Sequence, residues 1–240
     1  MNLVVDYGNT GAKVGFFDQH QMLEKKTINS LDSLRQFLES SDAENIIISS
    51  VSHRAEDLAK YAVRARRKFV LDHRLPLPVF NHYSTPETLG VDRIAGVCGA
   101  LQLFPGSDTL VIDAGTCITY DLIDAGRNYR GGAISPGYRM RFRAVHEFTA
   151  RLPLVDGVEA PELVGDSTES SIQSGVFYGM LAEIEGTIAR YGEKYKEMKI
   201  VLTGGDAGVF ENKLKAPIFA SPNLVLVGLN SILDHNVNRK

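Results

Sequence analysis

Two stretches of the chain share one pattern of apolar and polar positions. Leu3-Val4-Val5 reads as an apolar strand that runs into Asp6-Tyr7-Gly8-Asn9-Thr10 and returns through Ala12-Lys13-Val14-Gly15-Phe16-Phe17. Leu110-Val111-Ile112 runs in the same way into Asp113-Ala114-Gly115-Thr116 and returns through Cys117-Ile118-Thr119-Tyr120-Asp121. In that second return strand a period of two puts Cys117, Thr119 and Asp121 on one face and Ile118 and Tyr120 on the other. Either stretch alone fits an ordinary hairpin. Together they indicate an internal repeat and two related lobes, whose hairpins are expected to face each other across a cleft able to hold a polyphosphate.

The rest of the pattern alternates helix with apolar strand, which indicates an α/β fold. Leu31 to Leu38 carries apolar residues at helical spacing behind a Ser30 cap, and Asn45–Ser49 reads as a short buried strand. A helix is expected over about 54–67, a strand at Phe69-Val70-Leu71, and an apolar helix from near Val91 through Ile94, Val97 and Ala100 to Phe104. Phe104-Pro105-Gly106-Ser107-Asp108 breaks that helix and is the expected hinge, giving an N-terminal lobe 1–105 and a C-terminal lobe 106–240. The second lobe should contain a strand from Tyr129 to Gly137, a helix from Tyr138 to about Leu152 and a loop from Pro153 to Pro161. A long helix capped by Asp166-Ser167-Thr168 follows, then a strand ending in Thr203-Gly204-Gly205, and a last helix from Leu224 to Leu233.

Composition narrows the function classes. With 26 basic and 29 acidic side chains the formal charge is −3, so no general affinity for nucleic acid or an anionic membrane is expected. The basic cluster Arg64, Arg66, Arg67 and Lys68 reads as a solvated helix end. Cys98 and Cys117 are too few for a disulfide framework or an ordinary zinc site and should be buried, reduced thiols. The start enters a strand at once, without a basic and apolar leader, and no apolar run is long enough to span a bilayer; a cytoplasmic protein is expected.

The candidate chemistry begins with the hairpins. A carboxylate at the mouth of a buried strand, followed by glycine and hydroxyls, can hold a cation and let phosphate oxygens approach backbone N–H groups. Asp92, in the first turn of the helix after Gly90, has two readings from position alone: an acid that stabilises a helix N-terminus, or a site carboxylate. Tyr83 either packs or lines a pocket. Arg139, Arg141 and Arg143, at two-residue spacing, fan around their helix and read mostly as surface or interface charges.

The two hairpins resemble the phosphate-binding elements of the actin-like ATPase and sugar kinase superfamily, whose lobes are duplicated ribonuclease H-like units. Gly90-Val91-Asp92-Arg93, Gly131-Gly132-Ala133-Ile134-Ser135-Pro136-Gly137, Ser167-Thr168 with Gln173-Ser174-Gly175, and Thr203-Gly204-Gly205 follow in an order that resembles type III pantothenate kinases over nearly the whole chain. The resemblance implies ATP-dependent phosphorylation of pantothenate, the first step of coenzyme A synthesis, with Asp92 as general base. It implies that Tyr83, Gly90, Val91 and Arg93 line the pantothenate pocket, and that Thr168 reaches the pocket of a neighbouring subunit in a homodimer. Asp6, Gly8, Asn9, Thr10, Gly115 and Thr116 would bind ATP phosphates, and Gly204 and Gly205 the adenosine. Asp6 would position Mg2+, directly or through water, and Asp113 a monovalent cation, K+ or NH4+. Ser167 departs from the asparagine common in relatives. The rival readings are a kinase of another small molecule, an accessory transcriptional regulator of the same fold, and an actin-like filament protein.

Overall fold

The computed structural model describes residues 1–9 and 11–239, so the expectation for Thr10 lies outside the described residues. The chain divides into two compact units: Met1–Gly106 with Ile123–Arg130 and Asn223–Lys240, and Ser107–Leu122 with Gly131–Pro222.

The first unit opens with the repeat's hairpin, β1 (Asn2–Tyr7) and β2 (Ala12–Asp18), followed by β3 (Gln21–Ile28), α1 (Leu31–Ser40), β4 (Asn45–Ser50), α2 (Ala55–Ala59) and β5 (Arg67–Val70). Its sheet is ordered β3-β2-β1-β4-β5. β1 is antiparallel to β2 and parallel to β4, with Asp6 opposite Lys13 on one side and Ser49 on the other. Alternation along β1 decides what lies on each face. Leu3, Val5 and Tyr7 join Leu34, Leu38 and Leu58 in the core under α1 and α2; Val4 and Asp6 look the other way. The unit continues through β6 (Phe80–Asn81), a 3-10 turn at Pro86–Thr88 and α3 (Val91–Leu103).

The second unit repeats the plan. β7 (Thr109–Ala114) and β8 (Cys117–Ile123) form the second hairpin, then come β9 (Asn128–Pro136), α4 (Tyr138–Glu147), α5 (Thr168–Lys194), β10 (Lys199–Thr203), α6 (Ala207–Phe210) and β11 (Phe219–Ala220). The sheet order is β11-β10-β7-β8-β9-β6, so β9-β8-β7-β10-β11 reproduces β3-β2-β1-β4-β5 strand for strand. β7 is parallel to β10, which puts Thr203 opposite Asp113, as Ser49 stands opposite Asp6. β6 joins through the first residues of β9, pairing Phe80 with Asn128 and Asn81 with Tyr129.

The last helix, α7 (Leu224–Val237), was expected in the second lobe. It counts instead with the first unit, because it packs against α3 and β1. Two glycines let the helices meet backbone to backbone: a Cβ on Gly99 would stand 2.4 Å from the Leu224 carbonyl oxygen, and one on Gly228 would stand 1.7 Å from that of Ala95. Gly228→Ala is therefore expected to force α3 and α7 apart and lower stability by about 1–3 kcal/mol, read as a lower urea midpoint at unchanged slope.

Three local expectations change. The helix over about 54–67 ends at Ala59: α2 has no side-chain N-cap bond, and the Arg66 and Arg67 amides instead donate to the Glu44 carbonyl, starting β5 beside β4. The basic cluster consequently lies in a turn and a strand rather than at a helix end. α4 stops at Glu147 rather than near Leu152, and His146 Nδ1 bonds the Leu152 carbonyl, 2.7 Å away, from outside the helix. β3 carried no strong strand signal because it is mostly exposed and polar, as an edge strand can be.

Candidate active site

In the first unit, the charge of Asp92 on α3 acts on Asp6 of β1. Asp6 is half-buried one residue from the end of its strand, on the face turned away from α1 and α2. Asp92 is the second residue of α3, whose N-cap is Gly90. A Cβ at position 90 would come within 2.5 Å of Asp92 Oδ1, so the glycine leaves room for the carboxylate. That oxygen also accepts the Arg93 N–H at 2.9 Å.

Burial pushes the Asp6 carboxyl up to about 6, the Asp92 charge adds to the rise, and Lys13 opposes it. A second carboxylate that makes ionisation of Asp6 costlier adds to the negative charge a divalent cation can neutralise. The Ser49 hydroxyl, opposite Asp6, is buried and has no hydrogen-bond partner among the described residues. No group of three His, Cys, Asp or Glu side chains gathers at metal-binding distance among the described residues. The donor set fits magnesium, which takes one or two carboxylates and completes its shell with water and phosphate oxygens.

The sign of the Asp6 shift makes a prediction. The folded protein holds this proton more tightly than the unfolded chain, so Asp6's contribution to stability falls as pH rises from the ordinary carboxylate range to about 6. An NMR titration of the Asp6 carboxyl carbon should show a midpoint near 6 without metal and a lower one with Mg2+. A midpoint in the ordinary range without metal would contradict the burial of Asp6 beside the Asp92 charge.

The glycines of the first hairpin turn leave its backbone accessible. The Gly8 N–H donates to the Gly11 carbonyl at 3.0 Å, a Cβ on Gly8 would meet nothing closer than 3.8 Å, and Asn9 is exposed. Beside Asp92, the guanidinium of buried Arg93 lies 5.6 Å from the Tyr83 ring centre. Tyr83 in turn stacks on buried Tyr129, with 6.1 Å between ring centres and 17° between planes. Tyr83 is thus held by a cation and a second ring, and Val91 is a half-buried neighbour in the first turn of α3.

In the second unit three segments converge on the turn at 114–116. The Asp113 carboxylate lies over Gly115, where a Cβ would be 3.3 Å from Oδ1, and the Gly115 N–H donates to the Cys117 carbonyl. Gly204 has φ +101°, and a Cβ there would stand 2.3 Å from the Ala114 carbonyl oxygen. Gly137 approaches from the other side, where a Cβ would stand 2.2 Å from the Gly115 carbonyl oxygen. Thr116 and Gly205 are exposed. Thr168 is the exposed first residue of α5, beyond a reciprocal cap in which Ser167 and Ser170 exchange bonds.

Several residues beside these positions carried no sequence signal of their own. Asp206 is buried, donates its N–H to the Ala114 carbonyl at 2.9 Å and pairs with Arg139 at 3.2 Å. Burial raises its carboxyl and Arg139 opposes the rise. Arg141, in the group read mostly as surface or interface charges, is largely covered and joins Ser135 and Tyr120 on Glu183 of α5. Ser49 and Thr203 could have been found by laying one repeat on the other. Of the cysteines, Cys98 is buried and Cys117 half-buried.

A sequence model of the family described as type III pantothenate kinase matches residues 2–190. A type III pantothenate kinase of Bacteroides fragilis is 47% identical over the full length of both chains. The chain belongs to the type III pantothenate kinase family. It is accordingly an enzyme that phosphorylates pantothenate in coenzyme A synthesis.

Solved structures agree on the fold. One described as a Baf family transcriptional activator from Campylobacter jejuni superposes with a TM-score of 0.64 at 23% identity, over 99% of this chain and 100% of that one. One described as a 2-dehydro-3-deoxygalactonokinase protein from Sinorhizobium meliloti gives 0.60 at 14% identity over the whole of both chains. At such identities the likeness concerns the fold alone: two ribonuclease H-like lobes of the actin-like ATPase kind, which this member of the type III pantothenate kinase family shares with sugar kinases. No helix among its described residues is long and apolar enough to cross a membrane.

Proposed function

We propose that Asp92 is the general base of the pantothenate kinase reaction and that Asp6 holds the magnesium of Mg-ATP. The observation that carries this is that Asp6, near the end of β1, feels the charge of Asp92 at the start of α3, a repulsion that adds to the burial already raising the Asp6 carboxyl. An alcohol is too weak an acid for a carboxylate to deprotonate beforehand. Asp92 accepts the proton late, as the γ-phosphoryl group moves to the pantothenate hydroxyl oxygen and its bond to ADP breaks. Magnesium, once bound with ATP, supplies charge neutralisation for the transferring group. Arg93 adds fixed positive charge beside Asp92, and Tyr83, Gly90 and Val91 shape the acceptor pocket.

Gly8, Asn9, Thr10, Gly115 and Thr116 serve the phosphates through backbone and side-chain donors, and Gly204 and Gly205 admit the adenosine to close backbone contact. Asp113 holds a monovalent cation, K+ or NH4+, which takes the charge-neutralising part that a lysine takes elsewhere. The enzyme acts as a homodimer, with Thr168 completing the partner's acceptor site. In support, Gly175, Gly179 and Gly186 on α5 have nothing within 4 Å of where a Cβ would stand, and Leu163 and Val164 beside its start are exposed. Neither nucleic acid nor membrane is a partner, and the ATP supply places the reaction in the cytoplasm.

The test is 4'-phosphopantothenate formation from Mg-ATP in potassium and in sodium. The wild type should work faster in potassium, and Asp113→Asn should lose that preference along with most of its rate. Equal rates in the two salts for the wild type would remove Asp113 from its proposed role.

A further inference from the structure

On the other face of the first sheet from Asp6 lies a cavity of about 350 Å³ between α1, the turn after β4, and α2. It sits on the Tyr7 side, over the core shared by Leu34 and Leu58. Four basic side chains from three segments converge on it: Arg35 from α1, His53 and Arg54 from the turn, and Lys60 at the end of α2. Two acids oppose them. Asp57 pairs with Lys60 at 2.6 Å and Asp32 pairs with Arg35 at 3.1 Å, but all four of these side chains are substantially exposed, where such pairs are weak and screened. Arg54 makes no ion pair within 4 Å among the described residues.

An aromatic ring lines the pocket beside Arg35. Arg35 sits beside Tyr61, its guanidinium carbon 5.3 Å from the ring centre, and its Nε–H is covered and has no hydrogen-bond partner among the described residues. Donors arriving from several directions suit a tetrahedral oxyanion with many acceptor positions better than a planar carboxylate. The apolar wall of Leu31 and Leu58 beside the Tyr61 ring suits a small apolar body attached to that anion.

We propose that this pocket is a second anion site, which binds a small phosphomonoester carrying an apolar body. Binding there does not depend on the phosphotransfer reading of the Asp6–Asp92 face. The site is nonetheless tied to the first hairpin turn. The Ser52 hydroxyl donates to the Gly8 carbonyl at 3.1 Å, the Val51 N–H donates to the Tyr7 carbonyl at 3.2 Å, and the His53 ring meets the Tyr7 ring edge-on at 5.0 Å. A ligand that fixes His53 and Arg54 therefore also fixes the segment that holds Gly8.

The test is an NMR titration of the full chain, following the His53 ring and the Arg35 Nε–H, with phenyl phosphate, inorganic phosphate and chloride at matched ionic strength. Both signals should shift saturably with phenyl phosphate, less readily with inorganic phosphate and not with chloride. Arg54→Ala, at an exposed position, should keep the wild-type melting curve and weaken phenyl phosphate binding about tenfold, the loss of one charge-assisted hydrogen bond. Shifts of equal size in chloride, equal affinity for the two phosphates, or an affinity untouched by Arg54→Ala would each overturn the proposal. Because both signals come from the pocket itself, the result stands whether or not pantothenate is turned over.

Discussion

Asp92→Asn is expected to lower turnover by about 10²–10⁴-fold, the range for losing a positioned general base, while leaving the fold and Mg-ATP binding in place. The substitution keeps the shape over Gly90 and an oxygen able to accept the Arg93 N–H, so stability should change little. It removes the charge that helps raise Asp6, so the Asp6 midpoint should fall toward the ordinary carboxylate range in the same variant. Those two readouts together separate a base from a helix-stabilising acid. A residue that only complements the end of α3 would cost some stability and little rate. Full turnover with an unmoved Asp6 midpoint would remove Asp92 from the site.

Gly204→Ala should be nearly as damaging, by a different route. A Cβ there stands 2.3 Å from the Ala114 carbonyl oxygen, and φ +101° is a conformation an alanine rarely adopts. Either β10's exit or the 114–116 turn must move, and a displacement of about 1 Å at a phosphate-binding turn can cost about 10²-fold in rate. The loss should appear in kcat/KM for ATP more than for pantothenate, since Tyr83 and Arg93, the residues proposed for the acceptor pocket, belong to the first unit. Gly205→Ala, with nothing within 4 Å of the added carbon, is the matched control and should stay close to the wild type. Equal damage from the two variants would mean that the contact with Ala114 is not what requires Gly204.

The repeat was legible because it lies in contiguous residues: an apolar strand, an acid, a glycine and a return strand occur twice, and the two sheets share one strand order. What sequence could not supply was pairing over distance. Asp6 and Asp92 are 86 positions apart, and only the face selected by alternation in β1 and the start of α3 brings the Asp92 charge near enough to act on Asp6. Tyr129 behind Tyr83 depends on β6 joining the start of β9, and β6 spans two residues. The place of α7 depended on Gly99 and Gly228, each of which reads in sequence as an unremarkable helix glycine until its partner is known. The helix over about 54–67 failed for a local reason: its last residue, Arg67, begins β5 beside β4, and the segment before it turns to reach that strand.

The most direct test of the central claim is transfer of the labelled γ-phosphoryl group of ATP, with Mg2+ and potassium, to the pantothenate hydroxyl by the wild-type chain, with Asp92→Asn alongside. Labelled 4'-phosphopantothenate that accumulates only with pantothenate present, and nearly vanishes in Asp92→Asn, is the predicted result. Label released as inorganic phosphate at a rate indifferent to pantothenate, or equal transfer by the two proteins, would contradict it.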